Sequence, residues 1–248
     1  MSLSEVLARS DIWRGDRFAT AALPVVASGF TTLDAALPGG GWPRGALTEL
    51  LLDGAGLGEI SLLIPALIRI KAMAGWSVLI APPHEAHAPA WAAAGVDLAR
   101  LAVVSPVAPR DALWAAEQAL SSGAPQAVFC WTGAADARQL RRLQVAAAAG
   151  NALAFLFRPM RTAGQSSAAP LRLQLSAGEQ GALSVHILKR RGPPLAEPFF
   201  ISLPRPARWL DHDLIHGAAL ARHQSPPAAA RSPSAASAAS AASAFVVA

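Results

Sequence analysis

Length, composition and charge narrow the class of protein before any motif is considered. The chain has 248 residues, of which 53% are hydrophobic and 15% charged, and its formal net charge is +5. Such an apolar chain can bury a sizeable core, so most of it is not intrinsically disordered. The single cysteine, Cys130, excludes an intramolecular disulfide framework and a multi-cysteine zinc site. The basic balance permits contacts with nucleic acid or with acidic proteins but proves neither.

The apolar segments carry no signal for secretion or membrane insertion. The purest apolar run, Ile60–Ile68, is too short to cross a bilayer, and Val145–Phe157 is interrupted by Gly150 and Asn151. The first twenty residues contain six charged side chains, where a signal peptide needs an unbroken apolar segment. We therefore expect a cytoplasmic protein.

Short apolar runs alternate with helical patterns at the spacing of β-α-β units. Periodicity predicts, in chain order, helices at Ser2–Arg9 and Thr31–Leu37, a strand at Leu47–Leu52, a helix at Glu59–Met73, a strand at Ser77–Ala81, a helix at Ala88–Ala94, a strand at Leu101–Val104, a helix at Arg110–Leu120, a strand at Ala127–Trp131, a helix at Ala135–Ala149 and a strand at Ala152–Phe157. This order predicts a mostly parallel sheet with helices on both faces.

The pattern changes after Pro159. Leu171–Leu175 and Leu183–Lys189 alternate as antiparallel strands do, and Phe199–Leu203 is a further strand. We predict four regions: an N-terminal helix and linker (1–23), a core (24–210), a candidate C-terminal helix (211–223) and a disordered tail rich in Ser, Ala and Pro (224–248).

A glycine-rich loop lies between the first core strand and the helix that follows it, which is the setting of a phosphate-binding loop. That chemistry needs an initial glycine, a lysine that neutralises phosphate and a hydroxyl that holds magnesium. Here Asp53, Glu59 and Ile60 stand at those three positions, around Gly54, Gly56 and Gly58. At an effective dielectric constant near 20, one unit charge at ~4 Å from a phosphate contributes about 4 kcal/mol to binding. The replacement of the lysine by the negatively charged Glu59 should therefore abolish nucleotide binding. The three glycines are then needed only for a tight turn.

The segments Ala27–Leu37 and Gly39–Gly45, followed by Glu49, resemble the start of the RecA recombinase core. More specifically, the chain resembles the ImuA family of RecA-like proteins, which is associated with bacterial translesion DNA synthesis. The stretches that carry this resemblance are Ile12–Gly15, Gly39–Glu49, Gly58-Glu59, Ala93–Leu98, Ala112–Trp114, Phe155–Pro159 and Ile187–Gly192. The related SulA division inhibitors share the middle of the pattern.

The resemblance implies an α/β RecA-like core, with antiparallel strands at its C-terminal side and without ATPase activity. Alignment with RecA places Pro83 at the catalytic glutamate, because Glu85 would need a two-residue shift, and Trp131 at the magnesium-linked aspartate. No cofactor and no catalytic residue are expected. The second DNA-binding loop of RecA is reduced to Arg161–Ala169.

The same resemblance implies a non-enzymatic scaffold in SOS-induced, error-prone DNA synthesis. Its partners would be an ImuB-like homologue of Y-family polymerases, RecA and an error-prone replicative-type polymerase, so it would associate with the nucleoid when acting. Whether DNA is contacted directly stays open. The candidate partner or nucleic-acid contacts are Trp13, Arg14, Lys189, Arg190 and Arg191. The basic run at 189–191 has a second interpretation as a solvated edge.

A second hypothesis is a SulA-like division inhibitor that binds the tubulin-like protein FtsZ.

Two further sets of residues each have a structural and a functional interpretation. The histidine pairs His84/His87 and His212/His216 lack a third ligand, which favours surface side chains over a metal site. The tryptophans 42, 91, 114 and 209 either pack in the core or anchor an interface.

Overall fold

The computed structural model describes residues 23–73 and 75–204 of the chain. Within these ranges it contains ten strands and five α-helices. The strands are β1 (Val25–Val26), β2 (Trp42–Pro43), β3 (Ala46–Leu52), β4 (Trp76–Ile80), β5 (Leu101–Val104), β6 (Pro125–Trp131), β7 (Leu153–Pro159), β8 (Leu171–Ala177), β9 (Leu183–Lys189) and β10 (Phe199–Ile201). The helices are α1 (Thr31–Ala36), α2 (Glu59–Ile70), α3 (Ala88–Ala93), α4 (Pro109–Ser121) and α5 (Ala137–Gly150).

Eight of these strands form one sheet in the order β10-β9-β8-β3-β7-β6-β4-β5. The six strands from β8 to β5 are parallel, and β9 and β10 extend the sheet by antiparallel pairing. All seven residues of β3 are buried because parallel strands flank it and helices cover it. The two remaining strands, β1 and β2, form a small antiparallel pair of their own.

Helices cover both faces of the sheet, and alternate side chains of each strand enter two separate cores. On the first face, α1 and α2 pack through Leu33, Leu62 and Leu63 against a row of phenylalanines. On the second face, α4 and α5 pack through Leu113, Leu140 and small alanines. The architecture is therefore three-layered and mixed α/β. It agrees with the predicted class, while the narrower RecA-like core stays a prediction.

Every helix and strand predicted between residues 31 and 203 is present, with ends that differ by a few residues. The largest difference is in α2, which ends at Ile70 before a short 3-10 turn at Lys71–Met73. The helix continues through Pro65. The paired dipeptides β1 and β2 are not predicted, because two residues are too few to show alternation.

The prediction for the strands after Pro159 is only partly confirmed. β8 and β9 are antiparallel, as their alternation indicates. However, β8 also pairs in parallel with β3, because the chain crosses β3 between β7 and β8. This crossover brings Arg172 on β8 directly opposite Glu49 on β3.

The predicted helices Ser2–Arg9 and Asp211–Arg222 and the predicted tail 224–248 lie outside the described residues. The four predicted regions therefore stay a prediction. None of the helices within residues 23–73 and 75–204 combines the length and the apolar character that a bilayer crossing requires.

Candidate functional site

The glycine-rich loop connects β3 to α2, as predicted. β3 ends at Leu52, the loop spans residues 53–58, and Glu59 is the first residue of α2. Gly56 and Gly58 have φ angles of 84° and 95°, in the left-handed region where a side chain is disfavoured. These two glycines therefore allow the backbone to form a tight turn between β3 and α2.

The loop places its own carboxylate where a phosphate-binding loop would hold an anion. Oε1 of Glu59 accepts a hydrogen bond of 3.1 Å from the backbone N–H of Gly56. The Glu59 side chain is buried, and its Oε2 has no hydrogen-bond partner among the described residues. A donor that could bind phosphate is therefore already used, and the negative charge beside it would repel a polyphosphate.

The segment after β10 adds a steric block to this electrostatic one. A Cβ atom built on Gly58 would collide with Cδ1 of Leu203. Ile60, where a hydroxyl would hold magnesium, packs against the core of the first face, and Asp53 is exposed. The loop thus offers neither a cation nor open space beside Gly58.

The two positions aligned with acidic residues of RecA also lack acidic side chains. Pro83 is exposed in the segment after β4, as is Glu85. Trp131 lies at the end of β6, and its ring stacks on Phe157 at a centroid distance of 4.2 Å. It is a packing residue of the first core, although its buried Nε1 has no acceptor among the described residues.

The second face of the sheet contains a buried cluster of ionised side chains that the sequence analysis did not identify. Glu49 on β3 receives Nη1 of Arg158 at 2.8 Å and Nε of Arg172 at 2.6 Å. Glu49 and Arg158 are 0% and 2% exposed. Two cations share one anion, so the cluster has a net charge of +1 inside the protein. Its sequence signal is a charged residue next to buried apolar residues in each of three strands.

Carbonyl and amide oxygens, most of them in the segment between β7 and β8, accept hydrogen bonds from the two arginines of this cluster. Nη2 of Arg158 donates to the carbonyl of Ala135 and to Oε1 of Gln165. Arg172 donates to the carbonyls of Thr162 and Ala163. The segment that the RecA resemblance equates with a mobile DNA-binding loop is therefore tied to the sheet by buried hydrogen bonds.

The predicted basic run has different roles at its three positions. Lys189 is exposed and donates to the carbonyl of Ser167 at 2.9 Å. Arg190 donates to the carbonyls of Ala36 and Pro193, so it joins α1 to the segment after β9. Arg191 is exposed. The predicted contacts Trp13 and Arg14 lie outside the described residues.

The other candidate residues separate by burial. Trp42 is fully buried and packs edge-on against Phe155, whereas Trp114 is 62% exposed. Trp91 is half-buried, and Trp209 lies outside the described residues. His84 and His87 are exposed, and no group of three potential metal ligands is present in the described part of the chain. His212 and His216 lie beyond it.

Cys130 is buried in β6 on the second face. Burial disfavours the thiolate and raises the pKa of this thiol to about 12. The side chain is therefore a protonated core residue at neutral pH, not a nucleophile.

Comparison with known proteins finds similarity to cell division inhibitors. The sequence model of the family described as cell division inhibitor SulA matches residues 45–154. The match is to division inhibitors. It spans β3 to the start of β7, which includes the glycine-rich loop, α4 and α5.

Two curated relatives have the same description. The cell division inhibitor SulA of Edwardsiella piscicida is 28% identical over 145 residues, which cover 58% of this chain and 84% of that protein. The cell division inhibitor SulA of Serratia marcescens is 25% identical over 121 residues, covering 49% of this chain and 72% of that protein.

These matches overturn the main expectation from the sequence. The predicted membership of the ImuA family is wrong, and so are the translesion-synthesis function and the polymerase and RecA partners that it implied. Three of the stretches on which that prediction was based, Gly58-Glu59, Ala93–Leu98 and Ala112–Trp114, lie within the span that the SulA model matches.

Proposed function

We propose that this protein is a cell-division inhibitor that acts by binding FtsZ. The observation that carries the proposal is the match of residues 45–154 to the SulA family, since this span covers the centre of the sheet and the helices on both faces. The proposal keeps the SOS response from the sequence-based expectation and drops the polymerase partners. The protein acts in the cytoplasm, where FtsZ assembles, and not at the nucleoid.

The proposal includes a RecA-like core that has lost nucleotide chemistry. The carboxylate of Glu59 in the glycine-rich loop and Leu203 beside Gly58 support it, because both oppose a bound polyphosphate. The protein would therefore inhibit by occupying a surface of FtsZ, with no turnover of its own.

The decisive experiment uses purified full-length protein and FtsZ from the same host. With GTP present, we expect the protein to lower the sedimentable fraction and the GTPase rate of FtsZ in a concentration-dependent manner. Production of the protein in cells that lack RecA should still give filaments. Unchanged FtsZ assembly at a tenfold molar excess of the protein would contradict the proposal.

The absence of nucleotide chemistry has a separate test. Glu59→Gln removes the charge in the loop and preserves its shape, so this variant should inhibit FtsZ as the native chain does, with or without ATP. A magnesium-dependent ATP turnover by the native chain that vanishes in Glu59→Ala would show that the loop is a working nucleotide site.

A further inference from the structure

The outer surface of the second face is formed by α4 and α5, which pack side by side. α4 joins β5 to β6 and α5 joins β6 to β7, and all three strands are parallel, so the two helices run in the same direction. Nη2 of Arg142 on α5 and Oε2 of Glu117 on α4 are 2.6 Å apart and fix their alignment. Trp114 lies three residues before Glu117, and Arg138 four residues before Arg142. Helix geometry therefore places these two side chains at one level, about one turn from the ion pair.

This surface has an exposed aromatic centre and an excess of positive charge. Trp114 is 62% exposed, and Val145, one turn beyond Arg142, is 63% exposed. We define the α4–α5 surface by these two residues and by the exposed arginines of the two helices, Arg110, Arg138, Arg141 and Arg142. The same helices carry only two acidic residues, Asp111 and Glu117, which leaves a net charge of +2.

The arginines of this surface differ in what they already bind. Arg142 is paired with Glu117, and Arg110 lies 3.6 Å from Asp111. Arg138 and Arg141 are exposed, and neither has an ion-pair partner among the described residues. Asp136, at the start of α5, uses its side chain to cap that helix through the backbone N–H of Gln139. The guanidinium groups of Arg138 and Arg141 are therefore available to an external anion at this surface.

Tryptophan and arginine are the side chains that most often dominate binding energy at protein interfaces. We propose that the α4–α5 surface binds an acidic, amphipathic segment of a protein partner. Apolar side chains of the segment cover Trp114 and Val145, and its carboxylates pair with Arg138 and Arg141 in the bidentate geometry that guanidinium favours. This site is additional to FtsZ binding and does not depend on it.

The distribution of acidic residues favours a protein segment over nucleic acid. Asp111 and Glu117 lie among the arginines, and a continuous phosphate backbone that crosses the surface would pass these carboxylates. A protein segment can place its carboxylates opposite the two available arginines and neutral side chains elsewhere. The exposed valine also offers nothing to phosphate, whereas it extends the apolar area around Trp114.

The test uses the full chain and a fluorescein-labelled helical peptide with glutamates on one face and leucines on the other. We expect saturable binding that weakens as salt rises, because exposed charges are screened. Arg138→Glu/Arg141→Glu should reduce the affinity at least tenfold, and Trp114→Ala at least threefold. The matched control is Arg69→Glu/Lys71→Glu, which makes the same charge change at exposed positions of α2 and the turn after it, on the first face.

Four results would overturn the proposal. The native chain could fail to bind the acidic peptide, or the control variant could lose as much affinity as the double arginine variant. A peptide with glutamine in place of glutamate could bind equally well. Finally, a duplex oligonucleotide could bind more tightly than the peptide and be lost in the same arginine variants, which would make the surface a nucleic-acid site. All variants alter exposed side chains, so unchanged circular dichroism should confirm their folding.

Discussion

Glu49, Arg158 and Arg172 form a cluster of charged side chains that is buried in the described structure. Burying charge costs several kcal/mol per ion, and the cluster is stable only because each ion has partners with good geometry. Each carboxylate oxygen of Glu49 accepts from one guanidinium, and backbone carbonyl oxygens accept from three further N–H groups, while the buried Nε of Arg158 has no partner among the described residues. The cluster thus links β3, β7, β8 and the segment after β7.

Glu49→Gln should therefore destabilise the fold strongly. The amide cannot compensate two buried cations, and we expect a loss of about 3–5 kcal/mol in the free energy of unfolding, measured by urea denaturation. Glu117→Gln is the matched control, because it breaks the exposed pair with Arg142 and should cost about 1 kcal/mol or less. Equal losses in the two variants would show that Glu49 does not neutralise the arginines.

The Cys130 thiol should make the stability of the protein depend on pH. Its pKa is raised by burial from 9.0 to about 12, so the unfolded chain loses this proton at a lower pH than the folded chain does. The thiol's contribution to stability is complete below pH 9 and decreases as the pH rises towards 12. Cys130→Ala should remove this component of the decrease, measured as the urea midpoint at pH 7, 9 and 10.

Alkylation gives an independent measurement of the same thiol. At pH 8.5, iodoacetamide should modify the denatured chain quickly and the native chain only at the rate of its unfolding. Rapid modification of the native chain would mean that Cys130 is accessible and ionised.

At the scale of elements, the glycine-rich loop is stabilised by the segment that follows β10. Leu203 packs against the core of the first face and lies directly beside Gly58. Gly56 has a similar backbone conformation but open space around its Cα hydrogens. The two glycines therefore separate the effect of backbone conformation from that of packing.

Gly56→Ala should cost roughly 1–2 kcal/mol, the usual penalty of a left-handed alanine. Gly58→Ala should cost a further 1–3 kcal/mol, roughly, because its methyl group displaces Leu203. Unfolding measurements on both variants check this difference. In a double-mutant cycle with Leu203→Ala, the combined loss should be smaller than the sum of the single losses. Strict additivity would show that Leu203 does not contact the loop in solution.

At the scale of the whole molecule, the two cores contain the residues that determine stability. Their buried members extend from Val26 to Ile201 and cover both faces of the eight-stranded sheet. The residues from 224 onward, by contrast, are mostly Ser, Ala and Pro, and only three of them, Phe245, Val246 and Val247, are large and apolar.

A chain that ends at His223 should therefore keep the native free energy of unfolding to within about 0.5 kcal/mol, measured in urea. The urea m-value should also be unchanged, because the full and the shortened chain would expose the same core surface on unfolding. A loss above 1 kcal/mol would show that residues 224–248 pack against the core.

Hydrophobic periodicity is a local property of the chain, so the alternation of strands and helices can be predicted from the sequence. The missing lysine of the glycine-rich loop can also be read from the sequence, since Glu59 occupies that position whatever the fold. The motifs led to the wrong family, although three of them lie within the residues that the SulA model matches.

Which charges are buried and which tryptophans are exposed depends on how distant strands and helices pack together. Glu49 meets Arg158 and Arg172 across 109 and 123 residues of chain, through strand neighbours that local patterns do not specify. Arg138 and Trp114 lie on exposed sides of helices, whereas Arg158 and Trp42 lie in buried strands. Composition supplies the charge and the rings, whereas strand order and helix packing determine whether each is a core residue or a surface for binding.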